Sequence, residues 1–408
     1  MVVSLSRCRF PWRALPVCLA ILIGAGLLVL PAQAQTIAPK DAVGRLFVGP
    51  LLESGWFAPS FLSVVGVDQV TALVSGLKGD FGGLVAVHDH AQGGRVELER
   101  AEVPFTVTLD GTGRIAELFF GPPQPTRGDP AALAERIVTS AVGESAVLLL
   151  VDDKELASRN ADAPMAVGSA VKLVVLKAYE EAIRDGILTR NRVVPLDGVD
   201  RSLPTGVLQR LAPGTPVTVE TLAALMIQQS DNTATDALIR LLGPAAMERL
   251  SPRNTPFLTT GALFRLAAKG AETKRTAYRA GTPEERRAIL EELAGVPLPS
   301  PSDLLPRATW RDAEWYLTAR ELCDLLLELR DAPALNGAPE PLVAVEGWRW
   351  TGYKGGSEFG VLTLSAAGIT VDGRPVCAVL TANGGRPQPE DRLARLFSTL
   401  FRSAEKSR

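Results

Sequence analysis

The sequence predicts an α+β protein in two successive units, and three observations carry that prediction. Two amphipathic helical stretches are followed by four short strand-like runs. A second, longer region both opens and closes with apolar strands. Between those strands lies a long helical segment. The units are placed at residues 38–122 and 131–402, with 123–130 as a Pro/Gly-rich linker and 1–34 as a leader ahead of both.

The leader reads as a targeting signal. Arg7, Arg9 and Arg13 form a basic n-region, "ALPVCLAILIGAGLLVL" an apolar h-region, and "AQA" at 32–34 supplies small residues for cleavage. Cleavage is expected near Ala34, which makes this an exported bacterial protein, periplasmic or secreted, with no membrane segment left. An uncleaved anchor is the other reading, because the apolar run approaches spanning length. The net charge is −2, and removing a leader with three arginines and no acid leaves −5. A mildly acidic chain without a basic patch argues against nucleic acid as a partner.

In the first unit, "DAVGRLFVGPLLES" and "VDQVTALVSGLKG" have helical spacing. "GGLVAVHD", "RVELERA", "PFTVTLD" and "GRIAELFFG" read as an antiparallel meander punctuated by Gly, Pro and Asp. In the second unit a helix, "PAALAERIVTSAV", precedes two strands, "SAVLLLVDD" and "ELASRNAD". The middle is helical, with "TVETLAALMIQQSDNTATDALIRLLG" and "TARELCDLLLELRD" as its clearest stretches. "WTGYKGGSE", "GVLTLSAAGIT" and "PVCAVLTAN" return to strand, and "QPEDRLARLFSTLFRSA" closes the chain as a helix. That order implies one antiparallel sheet built from both ends, with an all-helical lobe inserted.

The chemistry lies in the second unit. "PMAVGSAVKLVVLKAYEEAI" puts Ser169 and Lys172 three residues apart, on one helical face. Lysine is unfavourable at a helix N-terminus, where the dipole prefers negative charge. A serine needs a base to become a nucleophile, and a lysine of lowered pKa can serve. The chain has only two histidines, His88 and His90, both in "AVHDHAQGG". They read as a solvated hairpin turn, with a His-x-His metal site as the alternative. A Ser-His-Asp arrangement or a metallo-hydrolase would need more than these two supply. Ser230-Asp231-Asn232 alone could be a helix cap, and Lys354-Gly355-Gly356 alone a tight turn. No motif implies a metal or an organic cofactor. Cys323 and Cys377 fall on an apolar helix and an apolar strand; two buried free thiols are expected, with a disulfide as the alternative that export permits.

Taken together and in this order, the three motifs resemble the S-x-x-K, S-D-N and K-T-G set of class A β-lactamases and penicillin-binding proteins. The resemblance covers roughly residues 135–402. It implies a β-lactamase-like domain of antiparallel sheet plus helical lobe. Ser169 would be the acylated nucleophile, Lys172 its proton acceptor, and Ser230 a relay to the leaving group between Lys172 and Lys354. Asn232 would bind a substrate amide or carbonyl, and Lys354 would supply positive potential for a substrate carboxylate. Gly356 and Ser357 follow on the same strand, and the oxyanion hole maps to the backbone N–H groups of Ser169 and Ser357. The first unit resembles a cystatin-like domain of the ketosteroid-isomerase/NTF2 type. The pairing is similar to an exported group in which such a domain precedes a β-lactamase-like one, as in the esterase-like protein of clavulanic-acid clusters. Asp110 and Glu117 read as solvated strand residues, so packing or partner binding is the role expected of that first unit.

Two departures qualify the resemblance. No E-x-x-L-N, the source of the deacylating acid in class A enzymes, occurs between Asn232 and Lys354. Glu314 in "WRDAEWYLT" is the candidate there, against a solvated helix start. Gly355 takes the place of the K-T-G hydroxyl, and Ser357 is the nearest substitute. The expected activity is a serine hydrolase using a Ser-Lys acyl-enzyme, acting on small-molecule esters and weakly on β-lactams such as cephalosporins. The alternatives are an efficient β-lactamase with an unrecognised deacylation base, an acylated β-lactam-binding or sensor module, and a D,D-peptidase.

Overall fold

A computed structural model describes residues 37–49, 51–90, 93–125, 129–305, 313–336 and 348–404. The leader, with the cleavage expected near Ala34, lies outside the described residues. Among those residues no helix is long and apolar enough to cross a membrane.

Helices α1 (Pro39–Val48), α2 (Pro59–Leu62) and α3 (Val67–Phe81) come first. Strands β1 (Leu84–His90), β2 (Gly93–Leu98), β3 (Ala101–Leu109) and β4 (Ile115–Phe120) follow as an antiparallel meander. β5 (Gln124–Pro125) pairs back onto β3, so the segment expected to be a linker carries a short strand. His88 is also corrected: it lies within β1, and its Nε2 is 2.9 Å from Glu97 Oε2 on β2, a cross-strand pair rather than a turn. Apolar side chains of α1 and α3, among them Val43, Phe47, Val74 and Leu77, are buried with Val96, Val103 and Phe105 of the sheet.

After α4 (Pro130–Ser140) come β6 (Glu144–Val151), β7 (Lys154–Arg159) and β8 (Met165–Ala166). A 3-10 turn over Gly168–Val171 then leads into α5 (Lys172–Arg184). A small ribbon of β9 (Val193–Pro195) and β10 (Pro216–Thr218) precedes α6 (Val219–Gln228) and α7 (Asn232–Leu242). The helical lobe continues with α8 (Pro244–Leu250), α9 (Thr260–Leu266), α10 (Glu272–Ala280) and α11 (Pro283–Ala294). β11 (Tyr316–Leu317) and α12 (Ala319–Glu328) return the chain toward the sheet. The end is β12 (Trp348–Tyr353), β13 (Gly356–Glu358), β14 (Val361–Thr370), β15 (Pro375–Asn383) and α13 (Glu390–Ser403).

The larger sheet runs β12-β14-β15-β6-β7, with β13 also on β14, and every pairing is antiparallel. It is therefore built from both ends of the region with helices between. Its central strands show no polar alternation because both faces are covered. In β6, Leu148 and Leu150 pack with the helical lobe, whereas Val147, Leu149 and Val151 face α4 and α13. α13 buries Leu393, Leu396, Phe397, Leu400 and Phe401, the i, i+3, i+4, i+7, i+8 stripe of a helix lying on a sheet. Apolar residues of the first sheet and of this outer layer form one continuous core. A charged knot joins the same elements: Asp80 of α3, 1% exposed, pairs with Arg136 of α4 and with Arg392 and Arg395 of α13. From Ile37 on, the chain packs as one compact unit.

Cys323 of α12 and Cys377 of β15 form a disulfide. The expectation of two free thiols is overturned. Both residues are fully buried, as that expectation held, but α12 lies across the sheet and brings the two side chains together.

Candidate active site

Ser169 sits on the 3-10 turn rather than within a regular helix, and Lys172 is the first residue of α5. The turn is fixed from behind. Asn383 of β15 bonds both the N–H and the C=O of Ala166 at 2.8 and 2.9 Å, and Val167 N donates to Trp315 O at 3.0 Å. From the front, β13 presses against it. A Cβ on Gly356 would lie 2.2 Å from Val167 O and 2.6 Å from Ser169 N, so only glycine allows this approach. The contact brings the backbone of Ser357 beside that of Gly168 and Ser169.

Lys172 is 1% exposed. Its Nζ donates to Ser230 O at 2.6 Å, Ser230 Oγ at 3.1 Å and Asn232 Oδ1 at 2.7 Å. Lys354 is 4% exposed, and its Nζ donates to Ser230 Oγ at 3.0 Å and Gly355 O at 2.7 Å. Five of the predicted residues, Lys172, Ser230, Asn232, Lys354 and Gly356, thus converge on the turn that carries Ser169. No hydrogen bond to Ser169 Oγ is formed by any described residue. Burial lowers the Lys172 amine to about 7, against the pull of Asp236, Asp231 and Glu358. Burial, and then the neighbouring Lys172, push Lys354 well below the usual lysine range.

Ser230 holds φ +52, a left-handed conformation that side chains other than glycine rarely adopt. The surrounding bonds over-determine it. Ser230 O accepts from both Lys172 Nζ and Thr205 Oγ1, while Asp231 accepts from Val207 N, Leu208 N and Ala234 N and so caps α7. Asp231, expected as a possible cap, is one. Asn232 Nδ2 donates to Leu203 O at 2.9 Å, which aims its Oδ1 at Lys172.

These residues open onto a groove of about 500 Å³. It is lined by Ser169, Ser230, Lys354 and Ser357, by Thr205 and Tyr353, which the sequence did not single out, and by Glu390 and Asp391 of α13. Ser357 Oγ donates to Glu390 Oε1 at 2.9 Å. Thr205 lies 25 residues before Ser230 in an irregular segment, and no periodicity marks it.

Glu314 is not a solvated helix start. It is 6% exposed, precedes β11, and lines a separate small cavity with Arg253 and Tyr278 rather than the groove. Its Oε2 accepts from Trp315 N at 3.2 Å. Glu314 Oε1 and Glu358 Oε2 are buried and meet no donor in the described structure. One proton shared between the two carboxyls would satisfy both. Burial, and then the negative charge of Glu358, hold Glu314 well above the ordinary carboxyl range; burial also raises Glu358. A raised carboxyl contributes stability that is complete below its unfolded pKa and is lost as pH rises through its folded value. Glu358→Gln should therefore be more stable than the parent at pH 8, by about 1 kcal/mol or more, and lose that advantage near pH 5. Thermal unfolding at the two pH values checks this, and a difference independent of pH would refute it.

Residues 131–304 match the model of the β-lactamase enzyme family, described as "Beta-lactamase2". The match stops before Lys354, which the fold carries to the site. No curated protein matches the chain. Among solved structures it is similar to a β-lactamase from Sphaerobacter thermophilus, with 21% identity over 67% of this chain and 95% of that one, at a TM-score of 0.47. A mutant of PBP-A in an acyl-enzyme complex with penicillin G is 16% identical, over 68% and 96%, with a TM-score of 0.46. A β-lactamase from Chitinophaga pinensis is 16% identical, over 68% and 99%, with a TM-score of 0.46. By the family match the protein carries a β-lactamase-like, serine-hydrolase domain.

Proposed function

We propose that this protein hydrolyses esters, and β-lactams more slowly, through an acyl-enzyme on Ser169. The observation that carries the reading is Ser230 Oγ held between two buried amines, Lys172 at 3.1 Å and Lys354 at 3.0 Å. A hydroxyl can accept from one amine while donating its single proton to the other. The arrangement therefore relays protons when one lysine is neutral, the state their burial favours. In the forward step the neutral Lys172 Nζ takes the Ser169 Oγ proton, and Oγ bonds to the substrate carbonyl carbon. The oxyanion is held by the N–H groups of Ser169 and Ser357, donors of a kind that contribute about 10²–10³ in rate. Ser230 then passes a proton to the departing atom and is reprotonated from the lysine pair. Asn232 orients Lys172 and offers its amide to the substrate. Water later cleaves the acyl-serine bond.

In the same reading, residues 38–122 form the cystatin/NTF2-like domain and the protein is exported after loss of residues 1–34. Helices α1 and α3 lying on the β1–β4 meander support the first assignment, and the leader's composition supports the second. Intact-mass spectra over time, after addition of a chromogenic cephalosporin or p-nitrophenyl acetate, test the central claim. The protein should gain the mass of the opened cephalosporin and release p-nitrophenol from the acetate with repeated turnover, and Ser169→Ala should do neither. Acylation that persists in the variant, or is absent from the parent, overturns it.

A further inference from the structure

We infer that the leaving-group end of this groove, formed by Tyr353, Gly355 and Glu390, selects an ester whose departing alcohol carries no negative charge. The inference rests on the acyl-enzyme reading, which places the departing group beside Ser230 and Lys354.

Three charged side chains line the groove among the described residues: Lys354, Glu390 and Asp391. The one cation is buried and occupied, donating to Ser230 Oγ and Gly355 O. The two acids are exposed at the N-terminus of α13. Neither forms an ion pair in the described structure, and the contact Glu390 makes is the bond from Ser357 Oγ. The arginines that could balance them point elsewhere. Arg392 and Arg395 turn to Asp80, and the exposed Arg386 does not line the groove. The positive end of the α13 dipole would favour an anion here, but the acids of its own first turn already answer it.

The hydroxyl missing at Gly355 is replaced from two residues upstream. A Cβ built on Gly355 would lie 2.3 Å from Tyr353 Oη, so the phenol occupies the space that a threonine or serine at 355 would need. No described residue hydrogen-bonds to Tyr353 Oη, and it borders the groove. Burial and the charge of Glu390 both keep it protonated. The Tyr353 phenol thus offers a neutral donor at this end to an ether, hydroxyl or carbonyl oxygen, with carboxylates beside it. A carboxylate on the departing group would meet like charges. Ser357, the substitute expected from sequence, is drawn to Glu390 instead.

Three aryl esters with the same acyl group test this, their departing phenols bearing a meta carboxylate, carboxamide or trimethylammonium. Each kcat/KM is divided by that ester's rate of hydroxide hydrolysis. The carboxamide and trimethylammonium esters should exceed the carboxylate by about tenfold at low salt, and the gap should shrink as ionic strength rises. Glu390→Gln with Asp391→Asn should close most of the gap. Tyr353→Phe should raise KM for the carboxamide several-fold more than for the trimethylammonium ester. A carboxylate ester used equally or better, or a gap that survives neutralising both acids, overturns the inference. If all three esters acylate Ser169 at equal corrected rates, this inference alone falls. If none acylates it, the acyl-enzyme reading falls too.

Discussion

Lys172→Met should lower the acylation rate by about 10²–10⁴, the usual contribution of a positioned general base. In the parent, kcat/KM should rise with pH through about 7, because only the neutral amine accepts the Ser169 proton and burial brings its pKa there. The variant should lose that limb along with the rate. Methionine fills similar space without a charge to desolvate, and replacing a buried charge by an apolar side chain is often neutral or stabilising. A cation is also what the buried Lys172 site penalises. A lysine lowered in the folded state costs stability as pH falls from the ordinary lysine range to about 7, and the cost is complete below that. The thermal midpoint of the variant at pH 6 should therefore hold or rise while activity collapses. A pH–rate profile of acylation, with unfolding curves on the same samples, separates the two effects. An unchanged acid limb in Lys172→Met would assign the base to another group.

Ser169, Lys172, Ser230, Asn232 and Lys354 were legible because each lies in a short word whose geometry is local. A turn before a helix, a capped helix start and a strand next to glycine are settled within a few residues. The sheet was legible for a similar reason, since apolar runs of strand length flank a helical middle. What stayed hidden depends on packing between distant segments. Cys323 and Cys377 are 54 residues apart, and nothing in either apolar word says that α12 crosses β15. Glu358 sits in "KGGSE" like a solvated strand end, and becomes half of a carboxyl pair only because β13 is pressed toward the segment holding Glu314. Tyr353 reads as an ordinary strand aromatic until Gly355 is seen to leave room for its hydroxyl. Asp236 reads as one more polar residue of α7, yet it is buried and accepts from Thr260 N and Gly261 N, tying α9 to the back of the site.

With a cephalosporin, the acylated protein should accumulate, giving a burst of about one product per protein followed by turnover slower by about 10² or more, the scale of a missing general base. The groove places two carboxylates on its walls among the described residues, Glu390 and Asp391. Both belong to α13, beside Tyr353 and Ser357, at the end assigned to the departing group. Glu314 faces a different cavity, and Glu358 is engaged with it behind the Ser169 turn. Asp312, Glu340 and Glu346 lie outside the described residues. On the reading proposed above, hydrolysis of the acyl-serine is expected to fall to the lysine pair that made it, working in reverse on a water. A small acetyl group leaves room for that water beside Lys172 and Ser230, so p-nitrophenyl acetate should turn over without a long-lived adduct. A bulky opened β-lactam fills the same space and should block it. Stopped-flow release of the chromophore, read beside intact mass, measures burst and steady state together. Cephalosporin turnover with no accumulated adduct would mean that a carboxylate reaches the water after all. Glu358→Gln and Glu314→Gln would then show which one, by restoring the burst.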